Sequence, residues 1–165
     1  MCAGQGRDVI PVLRDHPRGR EVDAVLLELD PANVAVARDA ANGAGLTRLE
    51  VVETDAAISD PYGAYVPADI ILACGIFGNI TDRDLEGTVR HLSMLCAPRA
   101  SIIWTRHWKE PALIAGVRQW FVESGFEDLG FDALENERKV VIGVARLQAP
   151  PLPFQPHHRF FTFVR

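Results

Sequence analysis

The stretch "FEDLGFDALENERKVVIGVA" (Phe126–Ala145) decides the fold class. Its two ends, "FEDLGF" (Phe126–Phe131) and "KVVIGVA" (Lys139–Ala145), read as strands. The short polar segment between them shows no helical spacing of apolar residues. Parallel neighbours need a long crossover, so this pair is expected to form an antiparallel hairpin at a sheet edge.

Upstream the pattern is different. "VDAVLL" (Val22–Leu27), "LEVVE" (Leu49–Glu53), "DIILAC" (Asp69–Cys74) and "SIIWTR" (Ser101–Arg106) are short β-branched-rich runs, several apolar almost throughout, as strands covered on both faces are. Helical patterns lie between them. In "DPANVAVARDAANGAG", Val34, Ala37, Ala41 and Ala44 share a stripe, Asp30 suits the N-cap and Pro31 the first helical position. In "TDRDLEGTVRHLSMLCAP", Thr81 is the expected cap, Asp84 lies in the first turn, and Leu85, Val89, Leu92 and Cys96 align. A third helix, "PALIAGVRQWFVESG", opens on Pro111 and is expected to bury Leu113, Val117, Trp120 and Phe121. Strand and helix in alternation predict an α/β fold with a mostly parallel sheet and right-handed crossovers, closed by the antiparallel C-terminal pair.

At 165 residues the chain suits one domain, residues 1–165, with a Pro-rich tail over 149–165 whose aromatics are expected to pack back on it. A net charge of -5 offers no footprint for a phosphate backbone, which argues against nucleic acid as a partner. The three cysteines, Cys2, Cys74 and Cys96, are isolated and odd in number, which suits neither a disulfide framework nor a closely spaced zinc site and reads as reduced thiols in a cytoplasm. No apolar run approaches the ~20 residues that would cross a bilayer. No membrane partner and no metal are expected.

The opening "MCAGQGRDVIPVL" places Gly4 and Gly6 in a loop of the kind that exposes backbone N–H groups to a ligand. A dinucleotide fingerprint would put a third glycine where Val9 stands, which weakens a nicotinamide reading. About 20 residues on, Glu28 ends a strand where a carboxylate can accept both hydroxyls of a ribose. Asp55 follows the next strand and could accept an adenine amine, with the Ala56 N–H facing a ring nitrogen. Taken singly, these are a tight turn, a solvated acid and a helix cap. Together they occupy the carboxyl ends of successive strands, where open α/β sheets bind ligands.

At these residues the chain resembles the class I S-adenosylmethionine-dependent methyltransferases over nearly its whole length. "CAGQGRD" looks like their glycine-rich first motif, "LLELDP" their acidic strand end, "VETDAA" their adenine-contacting segment and "ADIILACGIFGNI" their fourth-strand motif. The resemblance implies a three-layer Rossmann-like fold and S-adenosylmethionine as cofactor. It implies that Ala3, Gly4, Gln5 and Gly6 face the amino-acid and ribose part of that cofactor. Glu28 would hold the ribose with Leu29 beside the adenine, Asp55 and Ala56 would read the adenine edge, and Cys74 and Gly75 would contribute backbone near the sulfonium. The family's first strand and its acidic residue would precede Met1. Either the start codon is misassigned and the chain continues upstream, or this is a fragment that needs a partner segment.

The expected reaction is methyl transfer to a small-molecule acceptor, held by the loops "GIFGNI" (Gly75–Ile80) and "TRHWKE" (Thr105–Glu110). Phe77 and Trp108 could wall that acceptor, and His107 is the candidate base, although aromatics near strand ends are commonly core. His157 and His158, in a tail without a matching carboxylate or cysteine, read as solvated. Two alternatives stand beside the methyltransferase: a non-catalytic or truncated nucleoside-binding module, and a nicotinamide-dependent oxidoreductase.

Overall fold

Asp30 and Pro31 start a helix for the reasons the sequence suggests: the Asp30 carboxylate accepts the Ala32 N–H at 2.8 Å, and Pro31 occupies the first turn. A computed structural model describes residues 1–107, 111–134 and 140–164. Among them the chain forms two compact units, Met1–Ala56 and Ala57–Arg165.

The first unit holds α1 (Ile10–Asp15), β1 (Ala24–Glu28), α2 (Pro31–Gly43) and β2 (Leu49–Glu53). β1 and β2 are parallel and in register from Ala24 opposite Leu49 to Glu28 opposite Glu53. The predicted stripe of α2 supplies Val34, Ala37 and Ala41 to a core completed by Ile10, Leu26, Leu46 and Val51, with Ala44 packed at its margin.

The second unit contains β3 (Ala68–Ala73), α3 (Asp82–His91), β4 (Cys96–His107), α4 (Pro111–Glu123), β5 (Phe126–Leu134) and β6 (Val140–Leu147). Its sheet has the order β3-β4-β6-β5. β3 and β4 are parallel, and β6 is antiparallel to both β4 and β5. The hairpin expected from Phe126–Ala145 is therefore present, with β6 inserted inside β5; Lys139 lies outside the described residues. The strands form two sheets, and among the described residues no ladder joins β1 to β3.

Two expectations shift. Thr81 caps α3 through the Asp84 N–H at 3.1 Å as predicted, but Leu92–Leu95 tightens into a 3-10 turn and Cys96 begins β4 rather than extending the helical stripe. Pro98, which removes a ladder donor, and Arg99 at φ +66 hide this strand start from any alternation pattern. On α4 the buried stripe is Ile114, Val117 and Phe121, while Leu113 and Trp120 are half-buried.

The C-terminal aromatics pack back as expected, with Phe160 and Phe161 buried. The two histidines part company. His157 is exposed and its Nδ1 lies 2.8 Å from Asp60. The His158 ring lies 4.4 Å from that of His91 and 5.0 Å, edge-on, from Phe160, with its Nε2 buried and unpartnered. Burial, followed by the His91 charge, pushes the His158 pKa below its ordinary 6.5. The folded state thus favours neutral His158, so this contribution to stability is complete above about 6.5 and is lost as pH falls below it. Thermal unfolding of the wild type should weaken more steeply below that pH than unfolding of His158→Gln, in which His91, His157 and Asp60 are unchanged. Parallel curves would contradict this.

Candidate functional site

Parallel β1 and β2 end side by side, which brings Glu28 and the chain after Glu53 to one edge; the Thr54 N–H bonds the Glu28 carbonyl at 2.8 Å. The opening loop is tied to that edge through the Ala3 N–H, 2.9 Å from the Leu27 carbonyl. Glu28 then closes the arrangement. Its Oε2 accepts the Gly4 N–H at 2.7 Å and its Oε1 accepts the Asp30 N–H at 2.9 Å.

The two loop glycines serve different ends. At Gly6, with φ +68, a Cβ would stand 2.7 Å from Ile10 Cδ1 and 2.9 Å from Leu26 Cδ1, so this glycine lets the turn pack on the core. At Gly4, with φ +54, a Cβ would meet nothing within 4 Å. Gly4 leaves open space above a backbone fixed by Glu28, and Leu29, the residue that follows β1, is 64% exposed.

Asp55 is half-buried and Ala56 buried, immediately after β2. The Cys2 thiol is pushed up to about 11, chiefly by burial, with the charges of both Glu28 and Asp55 adding to the rise. The two carboxylates therefore act on one neighbourhood. Gln5 is turned differently: its Nε2 donates to Asn33 Oδ1 at 3.2 Å and its Oε1 accepts from Arg7 at 2.6 Å, which commits the side chain to α2 and the loop.

Cys74 and Gly75 lie in the second unit, at the carboxyl end of β3. Gly75 has φ +74 with open space where a Cβ would be; its N–H already donates to Thr105 Oγ1 at 2.9 Å, and its carbonyl accepts from Asn79 at 2.7 Å. Phe77 is fully buried, 6.1 Å from Trp104 and 6.5 Å from Phe121, so it belongs to the core and does not wall an acceptor. Its carbonyl is held by Arg106, which also reaches Asp82 at 3.8 Å. His107 is exposed at the end of β4, and Trp108 lies outside the described residues.

Sequence reading missed Asp30 as a backbone donor to Glu28, since its capping role already explained it. Thr105 and Arg106, which fix the turn after β3, are 30 and 29 residues from the groups they hold, and no local pattern announces such bonds.

No family model and no curated protein sequence matches the chain. Solved structures do. The S-adenosylmethionine-dependent methyltransferase SibL in its apo form is 17% identical, with 90% of this chain and 49% of SibL covered and a TM-score of 0.67. An O-methyltransferase family 2 protein from Planctomyces limnophilus, in complex with apigenin, is 15% identical over 88% of this chain and 48% of its own, with a TM-score of 0.70. The fold is that of the class I S-adenosylmethionine-dependent methyltransferases. The cyclase SpnF shares it at 15% identity, over 90% of this chain and 73% of SpnF, with a TM-score of 0.65. The chain thus spans about half the length of the two methyltransferases. A class I fold carries ligands at the carboxyl edge of its parallel strands, and Gly4, Glu28 and Asp55 stand at that edge. Among the described residues no helix is long and apolar enough to cross a membrane, and no cluster of His, Cys, Asp or Glu could hold a metal.

Proposed function

We propose that this chain binds S-adenosylmethionine at the end of β1 and transfers its methyl group to a small-molecule acceptor. One observation carries the reading: Glu28 holds the Gly4 and Asp30 N–H groups with one lone pair on each oxygen. A carboxylate has about four such sites, so each oxygen keeps one for a ribose hydroxyl. The open space over Gly4 and the exposed Leu29 fit the nucleoside that would follow.

Gly4 and Gly6 would give the cofactor close approach to backbone, Glu28 would fix the ribose, and Asp55 with the Ala56 N–H would select the base. When bound, the sulfonium supplies an activated methyl group for in-line displacement. The chain contributes alignment and exclusion of water, which account for much of the acceleration in such a transfer. A base is needed only where the acceptor must lose a proton; His107, exposed at the end of β4, is the residue we assign to that task.

Calorimetric titration with S-adenosylmethionine, S-adenosylhomocysteine and NAD tests this. Heat with the first two and none with NAD is expected. Binding of NAD alone would overturn the proposal, and silence toward all three would favour a scaffold. SpnF, a cyclase of the same fold, is the reason to measure binding and methyl transfer separately. Binding of S-adenosylmethionine without turnover of any acceptor would favour the non-catalytic nucleoside-binding module.

A further inference from the structure

Residues 157–164 run back over the second unit as a strap, and His158 sits where that strap is held at both of its backbone groups. Its N–H donates to the Ser59 hydroxyl at 3.0 Å, and its carbonyl accepts the Ser59 N–H at 2.9 Å. Ser59 is fully buried, and its hydroxyl donates in turn to the Gln155 carbonyl at 2.6 Å. The pairing continues on either side: the Phe160 N–H reaches the Ala57 carbonyl at 2.8 Å, and Ile58 forms an antiparallel bridge with Arg159. The strap then meets α3 and the turn after β3. The Thr88 hydroxyl donates to the Phe160 carbonyl at 2.8 Å and the Thr162 N–H reaches Asp84 at 3.1 Å. The Val164 N–H reaches the Asn79 carbonyl at 2.9 Å, next to a bridge between Phe163 and Ile80.

The ring of His158 is the exception to this complete pairing. It is half-buried, with the His91 ring of α3 at 4.4 Å and Phe160, edge-on, at 5.0 Å. Its Nε2 is buried and meets no acceptor among the described residues. A neutral imidazole fills that place, whereas an imidazolium would set an unpaired charge against an apolar ring and a second histidine. The carboxylates along the strap are committed elsewhere. Asp60 takes the His157 N–H at 3.0 Å and lies 2.8 Å from His157 Nδ1, and Asp84 takes the Thr162 N–H. Of the other titratable neighbours, His91 Nδ1 lies 2.8 Å from the Gly87 carbonyl, Tyr62 meets Phe160 edge-on at 6.0 Å, and Arg159 reaches the Phe161 carbonyl at 3.5 Å.

We propose that residues 157–164 form an acid-released strap whose catch is the His158 ring. A protonated ring moves out to water, and because the His158 backbone carries both bonds to Ser59, the strap parts from residues 57–60 with it. Release uncovers Phe160 and Phe161 and frees Asn79 and Ile80, so the turn after β3 loses its outer support. His157 acts in the opposite sense, since its protonation strengthens the contact with Asp60. With 88% of the His157 side chain exposed, that pair is the weaker of the two effects and serves as a tether. The device does not depend on the nucleoside site proposed above.

Amide hydrogen exchange on the full chain at pH 7.5 and 5.5, corrected for the intrinsic rate at each pH, tests this. In the wild type the Ser59, His158, Phe160 and Val164 amides should lose protection at pH 5.5 by up to about tenfold, the most that one group released to an ordinary value near 6.5 yields over this interval. Amides of the β4–β6 ladder should keep theirs. His158→Gln, neutral at both pH values, should show no such loss in the strap. Equal loss in wild type and His158→Gln, loss shared evenly by strap and ladder, or unchanged protection of the wild-type strap would each overturn the proposal. If His158→Gln does not fold, His158→Phe, which keeps a ring that never takes a proton, should likewise abolish the pH dependence; a loss that persists there would equally overturn it.

Discussion

Glu28→Ala should lower the affinity for S-adenosylhomocysteine by at least about a hundredfold. Hydrogen bonds to a charged group are worth roughly 1.5–3 kcal/mol each, and two to the ribose would be lost. The loop would loosen as well, because the Gly4 and Asp30 N–H groups, at 2.7 and 2.9 Å, lose their acceptor. Glu28→Gln separates the two effects. Its amide keeps one accepting oxygen, while the NH2 that replaces the other cannot receive a backbone N–H. A loss of about tenfold is expected for this variant, between wild type and alanine. Wild-type affinity in both variants would mean that the ligand does not sit at the end of β1.

The second large effect concerns stability. Gly143 stands opposite Trp104 in the ladder between β4 and β6. A Cβ there would lie 2.1 Å from Trp104 Cε2, 2.2 Å from Cζ2 and 2.5 Å from Nε1. The indole cannot step aside: it is 1% exposed, and Phe77 at 6.1 Å and Phe121 at 6.2 Å pack against it. Overpacking of a filled core costs roughly 1–3 kcal/mol, and a rigid ring met at this distance belongs at the upper end. At about 2–4 °C per kcal/mol, Gly143→Ala should lower the unfolding temperature by roughly 6–12 °C. An unchanged unfolding temperature would show that the Trp104 pocket has slack.

Much of this architecture is legible in the residues, and the reasons differ from element to element. Asp30-Pro31 and Thr81 announce helix starts because capping is local, so four or five residues carry the whole signal. The final hairpin is legible because the segment between its strands has no helical spacing. The start of β4 is not, since Pro98 and the positive φ of Arg99 break any alternation and the tertiary ladder overrides them. Phe77 shows the same limit from the other side. Its position after β3 allows either a ligand wall or a core anchor, and only the packing of Trp104 and Phe121 decides for the core.

In the site, Glu28 is legible because its distance from the glycines follows from the length of one helix and one strand. Its bonds to Gly4 and Asp30 are consistent with that expectation but come from loop closure, which spacing does not encode. The Ser59 strap was hidden altogether. Its partners lie 96 and 99 residues away, and neither "AISD" nor "QPHH" carries a motif.

A structure of the full chain with S-adenosylhomocysteine bound tests the account most directly. The ribose hydroxyls are expected within hydrogen-bonding distance of Glu28, with the base beside Leu29 and its amine toward Asp55. A ribose bound away from Glu28 would contradict it.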